Sequence, residues 1–275
     1  MPVIRVPPGR AATGAGPAYW VQIGDRARHA GLGEDHLVDR QHLQELRIAI
    51  HAGDGDTLVA ALLGQNPTEV LQLAGDAIAG ATAVAVPGAT ELAEAWAVAL
   101  RTRGWTGDEE LAAELDAALG RRPPPQAKAL PINLDELADV LEAALGEEGG
   151  AVDLVTGEVW PPPAIEYARE TDEDPPDFDD EHRWLWVPAQ GSDAGYEDME
   201  EFIATVDDPA RAERLERAMQ GKGAFRRFKD AIANWPEEQE RWFRLADERR
   251  RGRARQWLAD AGYRVAARPR PDIGP

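Results

Sequence analysis

The chain contains no cysteine in 275 residues. Disulfides, thiol nucleophiles and thiolate metal sites are therefore excluded. No apolar run comes near the roughly 18 residues that a membrane span requires; the longest candidate, Ala77 to Pro87, is short and carries small residues. The first residues, Met1-Pro2-Val3-Ile4-Arg5, lack the apolar core of a signal peptide. Together these absences predict a cytoplasmic protein with no membrane association. Histidine is also scarce: His29, His36, His42, His51 and His182 are all there are, and none pair at i, i+4. A helical zinc-hydrolase motif and a nucleophile elbow are both missing. The sequence thus calls for no cofactor and offers no catalytic residues.

Charge is abundant and unevenly placed. The formal net charge is −20. Residues 1–130 carry 11 basic and 16 acidic side chains, residues 131–208 carry 2 and 24, and residues 209–275 carry 17 and 10. An acidic lobe followed by a basic one predicts mutual neutralisation where the two touch, because opposite fields act over a Debye length of about 8 Å. The competing expectation is that one lobe faces a charged partner.

Hydrophobic periodicity divides the chain into two halves. Residues 1–18 are rich in Pro, Gly and Ala and read as an irregular arm. Helical spacing then runs to about residue 120. Asn66-Pro67-Thr68-Glu69 and Thr106-Gly107-Asp108-Glu109 both read as capping boxes. Behind them, Val70, Leu71, Ala74 and Ile78 share one face, as do Leu111, Leu115 and Leu119. The first 120 residues therefore predict a helical bundle. Pro123-Pro124-Pro125 marks residues 121–130 as a linker. A second domain is expected over 131–264, and a loose tail over 265–275.

In the second half the period changes to two. Val152, Leu154 and Val159-Trp160 flank Thr156-Gly157 as a hairpin, and Arg183 to Val187 reads as a third strand covered on both faces. Residues 170–181 hold eight carboxylates and read as a solvated loop. Helices follow: Met199, Phe202, Ile203 and Val206 keep helical spacing, Asp208-Pro209 caps the next helix, and Gly221 fits its C-terminal end. Trp235-Pro236 opens a long last helix in which a bend is expected near Gly252. The fold class predicted is α+β and mostly α: an N-terminal helical bundle and a C-terminal domain with a small antiparallel sheet covered by helices.

The stretch Gly221-Lys222-Gly223-Ala224-Phe225-Arg226-Arg227-Phe228-Lys229-Asp230 is the most specific in the chain. It is not a nucleotide phosphate loop, because the order of Gly and Lys is wrong and no Ser or Thr follows. Lys222, Arg226, Arg227 and Lys229, with Arg241 and Trp242 on the next helix, are the candidate anion- or partner-binding residues. With Asp153, Thr156-Gly157-Glu158-Val159, Trp186-Val187-Pro188 and Trp257-Leu258, this stretch resembles uncharacterised protein family 0158 of bacteria over about 131–264. The resemblance implies a grouping and no reaction.

Three functions are weighed. The favoured expectation is a non-catalytic binding or regulatory module with a protein partner. An alternative is a hydrolase or divalent-metal enzyme using Asp172, Asp174, Asp177, Asp179, Asp180 and Glu181 near His182. The third is nucleic-acid binding by Arg241, Arg244, Arg249, Arg250, Arg251, Arg253 and Arg255, which the acidic lobe disfavours.

Overall fold

A computed structural model describes residues 40–63, 69–143, 149–171 and 176–266. All of them fall within one compact unit, Val38–Pro275. Among the described residues five helices come first: α1 (Arg40–Ala52), α2 (Gly55–Leu62), α3 (Leu71–Ala83), α4 (Ala89–Arg103) and α5 (Asp108–Ala118). Their apolar faces meet as the spacing requires. Val70, Leu71, Ala74, Ile78, Leu111 and Leu115 are all fully buried. Trp96 of α4 lies among them and donates its indole N–H to the Leu71 carbonyl at 3.3 Å.

The second half alternates short strands and helices: β1 (Lys128–Leu130), α6 (Leu134–Leu141), β2 (Gly150–Asp153), β3 (Val159–Trp160), α7 (Pro162–Thr171) and β4 (Trp184–Val187). Four helices and a last strand complete it: α8 (Asp193–Ala204), α9 (Pro209–Met219), α10 (Ala224–Ile232), α11 (Pro236–Asp260) and β5 (Tyr263–Val265). Strands β3, β2 and β4 form the expected small antiparallel sheet in that order. Trp160, Phe178 and Trp184 pack together, tilted or edge-on, on one face of it with centroids 4.7–5.7 Å apart.

Several local expectations change. The Thr106 box is not made: Gly107 is the cap residue of α5, in the left-handed region at φ 80°, and no side chain caps the helix. Helix α6 ends at Leu141, with Glu142 at its C-terminal cap position. The Asn66 box lies outside the described residues, apart from Glu69. Residues 162–171 are a helix, begun by Pro162 at a position where a missing N–H costs nothing. Strand β4 has a buried residue on each face, Trp184 and Val187, although Trp186 is 48% exposed. The linker's last three residues pair in parallel with Tyr263–Val265, which straddles the expected boundary between the second domain and the tail.

Helix α11 is the axis of the arrangement. It packs against α3, α5, α6, α8, α10 and β5. It runs from Pro236 to Asp260 without a break, so Gly252 is not a break point in the helix. The glycine serves close approach instead. A Cβ on Gly252 would lie 2.2 Å from the Thr106 carbonyl oxygen, and one on Gly107 would lie 2.2 Å from the Gly252 carbonyl oxygen. Backbone touches backbone there, and no side chain fits between.

Candidate functional site

The seven arginines between 241 and 255 are the first place to look for a working surface. Each has a carboxylate of the same chain. Arg241 meets Glu238 at 2.6 Å, Arg244 meets Glu69 at 3.2 Å, and Arg251 meets Asp135 at 2.6 Å. Arg249 and Arg253 converge on Asp198 at 3.2 and 2.9 Å. Arg249 also pairs with Glu201, Arg250 with Asp139 and Glu142, and Arg253 with Glu142. Arg255 holds Asp76 at 2.7 Å. The acidic and basic lobes therefore neutralise each other along α11, through Asp198 and Glu201 of α8, Asp135 and Asp139 of α6, and Glu142 just beyond α6. A nucleic-acid phosphate would have to displace these pairs.

Residues 221–230 are in a different position. Gly221 and Gly223 both take left-handed backbone, at φ 76° and 78°, which turns the chain sharply from α9 into α10. Phe228 and Ile232 are fully buried. Phe228 makes edge contacts with Trp242 at 4.9 Å and Phe202 at 6.3 Å, and Phe225 meets Tyr196 at 4.7 Å. Trp242 is thus a core residue, 5% exposed, and it stands behind the cations without sharing their surface.

The four cations of this stretch divide. Arg227 bends back over the junction. Its guanidinium donates to the carbonyls of Ala218 at 3.1 Å, Gln220 at 2.5 Å and Gly221 at 3.1 Å, and also to that of Lys222. Those of Ala218 and Gln220 are carbonyls that the end of α9 leaves without helical partners, and the other two belong to the junction itself. Arg227 therefore staples the turn. Lys222, Arg226 and Lys229 point to solvent. Arg226 has only a loose contact with Asp230 at 3.8 Å, with 90% of its side chain exposed. Neither lysine forms an ion pair among the described residues. Arg241 lies elsewhere, bridging Glu238 and the Thr205 hydroxyl.

The acidic segment shows a structural logic of its own. Phe178 is buried among Trp160 and Trp184 and anchors the loop, a role that a run of carboxylates conceals in the sequence. Asp177 and Asp180 accept backbone N–H bonds within the loop, and Asp180 receives the amide of His182 at 3.0 Å. Asp172 and Asp174 lie outside the described residues. Among the described residues no three His, Asp or Glu side chains are grouped to hold a metal ion.

Asp153, a marker of the family resemblance, is likewise structural. Its carboxylate accepts from the amides of Val155 and Thr156 at 2.8 and 3.3 Å and from Arg183 at 3.0 Å. Burial pushes its pKa up, but those hydrogen bonds outweigh it and hold the carboxyl below the usual range. Gly157 closes the same turn at φ 75°, against the Pro131 backbone.

One polar cluster was not visible in the sequence at all. Glu248, 3% exposed, reaches from α11 to the start of α3. There it accepts from the amides of Gln72 at 2.7 Å and Leu73 at 2.9 Å, and from Arg103 at 2.8 Å. Arg103 also holds Asp108 at 2.7 Å. The Gln72 side chain links Asp108 to Arg255 at 2.9 Å on each side. Burial works against the charge of Arg103, yet Asp108 and Glu248 keep its pKa above the ordinary value. The residues come from sequence positions 72, 103, 108, 248 and 255, so no local pattern announces them.

Known proteins place the second half of the chain. The profile of an uncharacterised protein family, UPF0158, matches residues 130–273. A protein of that family from Pseudomonas aeruginosa is 28% identical over 145 residues, which is 51% of this chain and 89% of that protein. No solved structure matches. No helix among the described residues is long and apolar enough to cross a membrane.

Proposed function

The chain belongs to uncharacterised protein family UPF0158, and from that premise we propose that it is a non-catalytic interaction module. Its working surface is the outer face of the α9–α10 junction. One observation supports this reading above others. The arginines of α11 are engaged by carboxylates of the chain itself, whereas Lys222, Arg226 and Lys229 stand in solvent over a base of buried aromatics. In a chain of net charge −20, an exposed cationic face suits contact with an acidic protein surface. Such contact is short-range at physiological salt, because the repulsion between two acidic bodies is screened beyond about 8 Å.

The test uses a tagged full-length chain and a Lys222→Ala, Arg226→Ala, Lys229→Ala triple variant. Arg227 stays in place because it staples the turn. Co-purification after cross-linking in a native host should recover specific partners with the wild type and lose them with the variant. A variant that melts like the wild type and keeps every specific partner removes this surface from consideration.

A further inference from the structure

The start of α3 and the Arg103 guanidinium have the form of an anion receptor. Two consecutive backbone amides, those of Gln72 and Leu73, point at one spot, and Arg103 completes the third side. Amides at the first turn of a helix have no helical acceptor, and the helix dipole favours negative charge beside them. What fills the spot is a carboxylate, Glu248, and it belongs to a helix 176 positions away in the chain. Val70, the residue at the cap position of α3, supplies no side-chain hydrogen bond. The cap is imported.

We infer that residues 40–118 carry a carboxylate-binding site, formed by the α3 N-terminus and Arg103, and that Glu248 of α11 occupies it in cis, docking the first helices onto the family segment. Three observations give this its weight. The receptor is built of groups buried from solvent: the Arg103 side chain is 9% exposed and that of Glu248 is 3% exposed. The contact is reinforced on both sides, by Arg255 with Asp76 and by the backbone approach of Gly107 to Gly252. The Pseudomonas aeruginosa relative is matched over 89% of its length by a 145-residue stretch of this chain. The remaining tenth or so of that relative is too little for a counterpart of α1–α5. That relative has no room for the first helices, and in this chain the carboxylate of Glu248 is the group that receives them.

The experiment compares Glu248→Ala and Glu248→Gln with the wild-type full chain. Glu248→Ala empties the receptor and leaves room for a small carboxylate. Its Tm should fall by about 10 °C, and the amides of Gln72 to Ala74 should exchange with deuterium at least tenfold faster. Sodium formate at 0.2 M should recover part of the Tm and of the protection, and sodium chloride at equal ionic strength should not. Glu248→Gln keeps the shape but places an NH₂ group against donors, so its loss should be smaller and insensitive to formate. If the alanine variant does not fold, the glutamine variant decides: unchanged exchange at Gln72 and Leu73 overturns the site. A fall in Tm that chloride restores as well as formate does would also overturn it, because a general salt effect would then explain the result.

Discussion

Residues 241–255 and residues 222–229 are both dense in cations, yet the fold treats them in opposite ways. On α11 every arginine meets a carboxylate, and several, such as Arg255 at 4% exposure, are nearly sealed from water. Around the α9–α10 junction one arginine is turned onto backbone carbonyls and the other three cations face outward. The difference comes from position in the fold. A central helix that packs on six elements brings its polar groups against theirs, and buried charges persist only when paired. A hairpin of two short helices at the edge needs only one face for the core. Composition alone therefore misidentifies which basic segment is available to a partner.

The largest test of this contrast is Gly252→Leu on α11. Any side chain there meets the Thr106 carbonyl, so the buried pairs along the helix should lose register together. Thermal unfolding followed by circular dichroism should show a loss above about 4 kcal/mol or no cooperative transition at all. A melting point within 2 °C of wild type would show that α11 can move away without cost.

Next comes Asp198→Ala. It leaves Arg249 and Arg253 facing a vacated, buried site and should cost about 3 kcal/mol in urea unfolding. A cost below 0.5 kcal/mol would mean that these arginines relax to solvent, and the contrast with residues 222–229 would then be one of degree.

Asp153 is an intermediate case: the carboxylate is buried and its arginine, Arg183, is half exposed. Because its folded pKa is depressed, the stability it contributes is present above the ordinary aspartate pKa of about 3.9. That contribution is lost as pH falls through the lower, folded value. The stability difference between wild type and Asp153→Asn should therefore be full at pH 6 and shrink steadily below pH 4. A difference that is flat between pH 6 and pH 2.5 would assign the effect to the turn geometry and remove the charge from it.

Smaller still is Arg227→Ala. Freeing the carbonyls at the end of α9 should cost about 1 kcal/mol, with faster hydrogen exchange confined to residues 218–224. The smallest effect belongs to Lys222→Ala, Arg226→Ala and Lys229→Ala together, which should change stability by less than about 0.5 kcal/mol. A larger loss would show that these cations are structural after all.

The elements that a sequence reader finds here are those written in local patterns. The period of Val70, Leu71, Ala74 and Ile78, the hairpin around Gly157 and the cap Asp208-Pro209 all appear in the structure as the spacing implies. The sheet and the predominance of helix follow from them. What stays hidden depends on groups distant in sequence. Gly252 reads as a weak point in a helix until Thr106 is placed beside it. Glu248 reads as one more surface carboxylate until α3 is found to lack a cap. The same limit applies to the candidate site: the cationic pattern at 222–229 is plain, but that Arg227 faces its own turn follows from the path of the backbone alone.

The parallel pair of β1 and β5 has a consequence for how the protein is made. Lys128–Leu130 leads into the family segment, which begins at residue 130, and has its partner in Tyr263–Val265, near the end of the matched region. A ribosome delivers β1 long before β5 exists, and closing so long a loop carries an entropic cost that local contacts do not. Local helices can form as they emerge, but packing on α11 and the pairing of β1 with β5 both wait for the last part of the described chain. A released chain ending at residue 262 would keep every described helix and still lack this fastening.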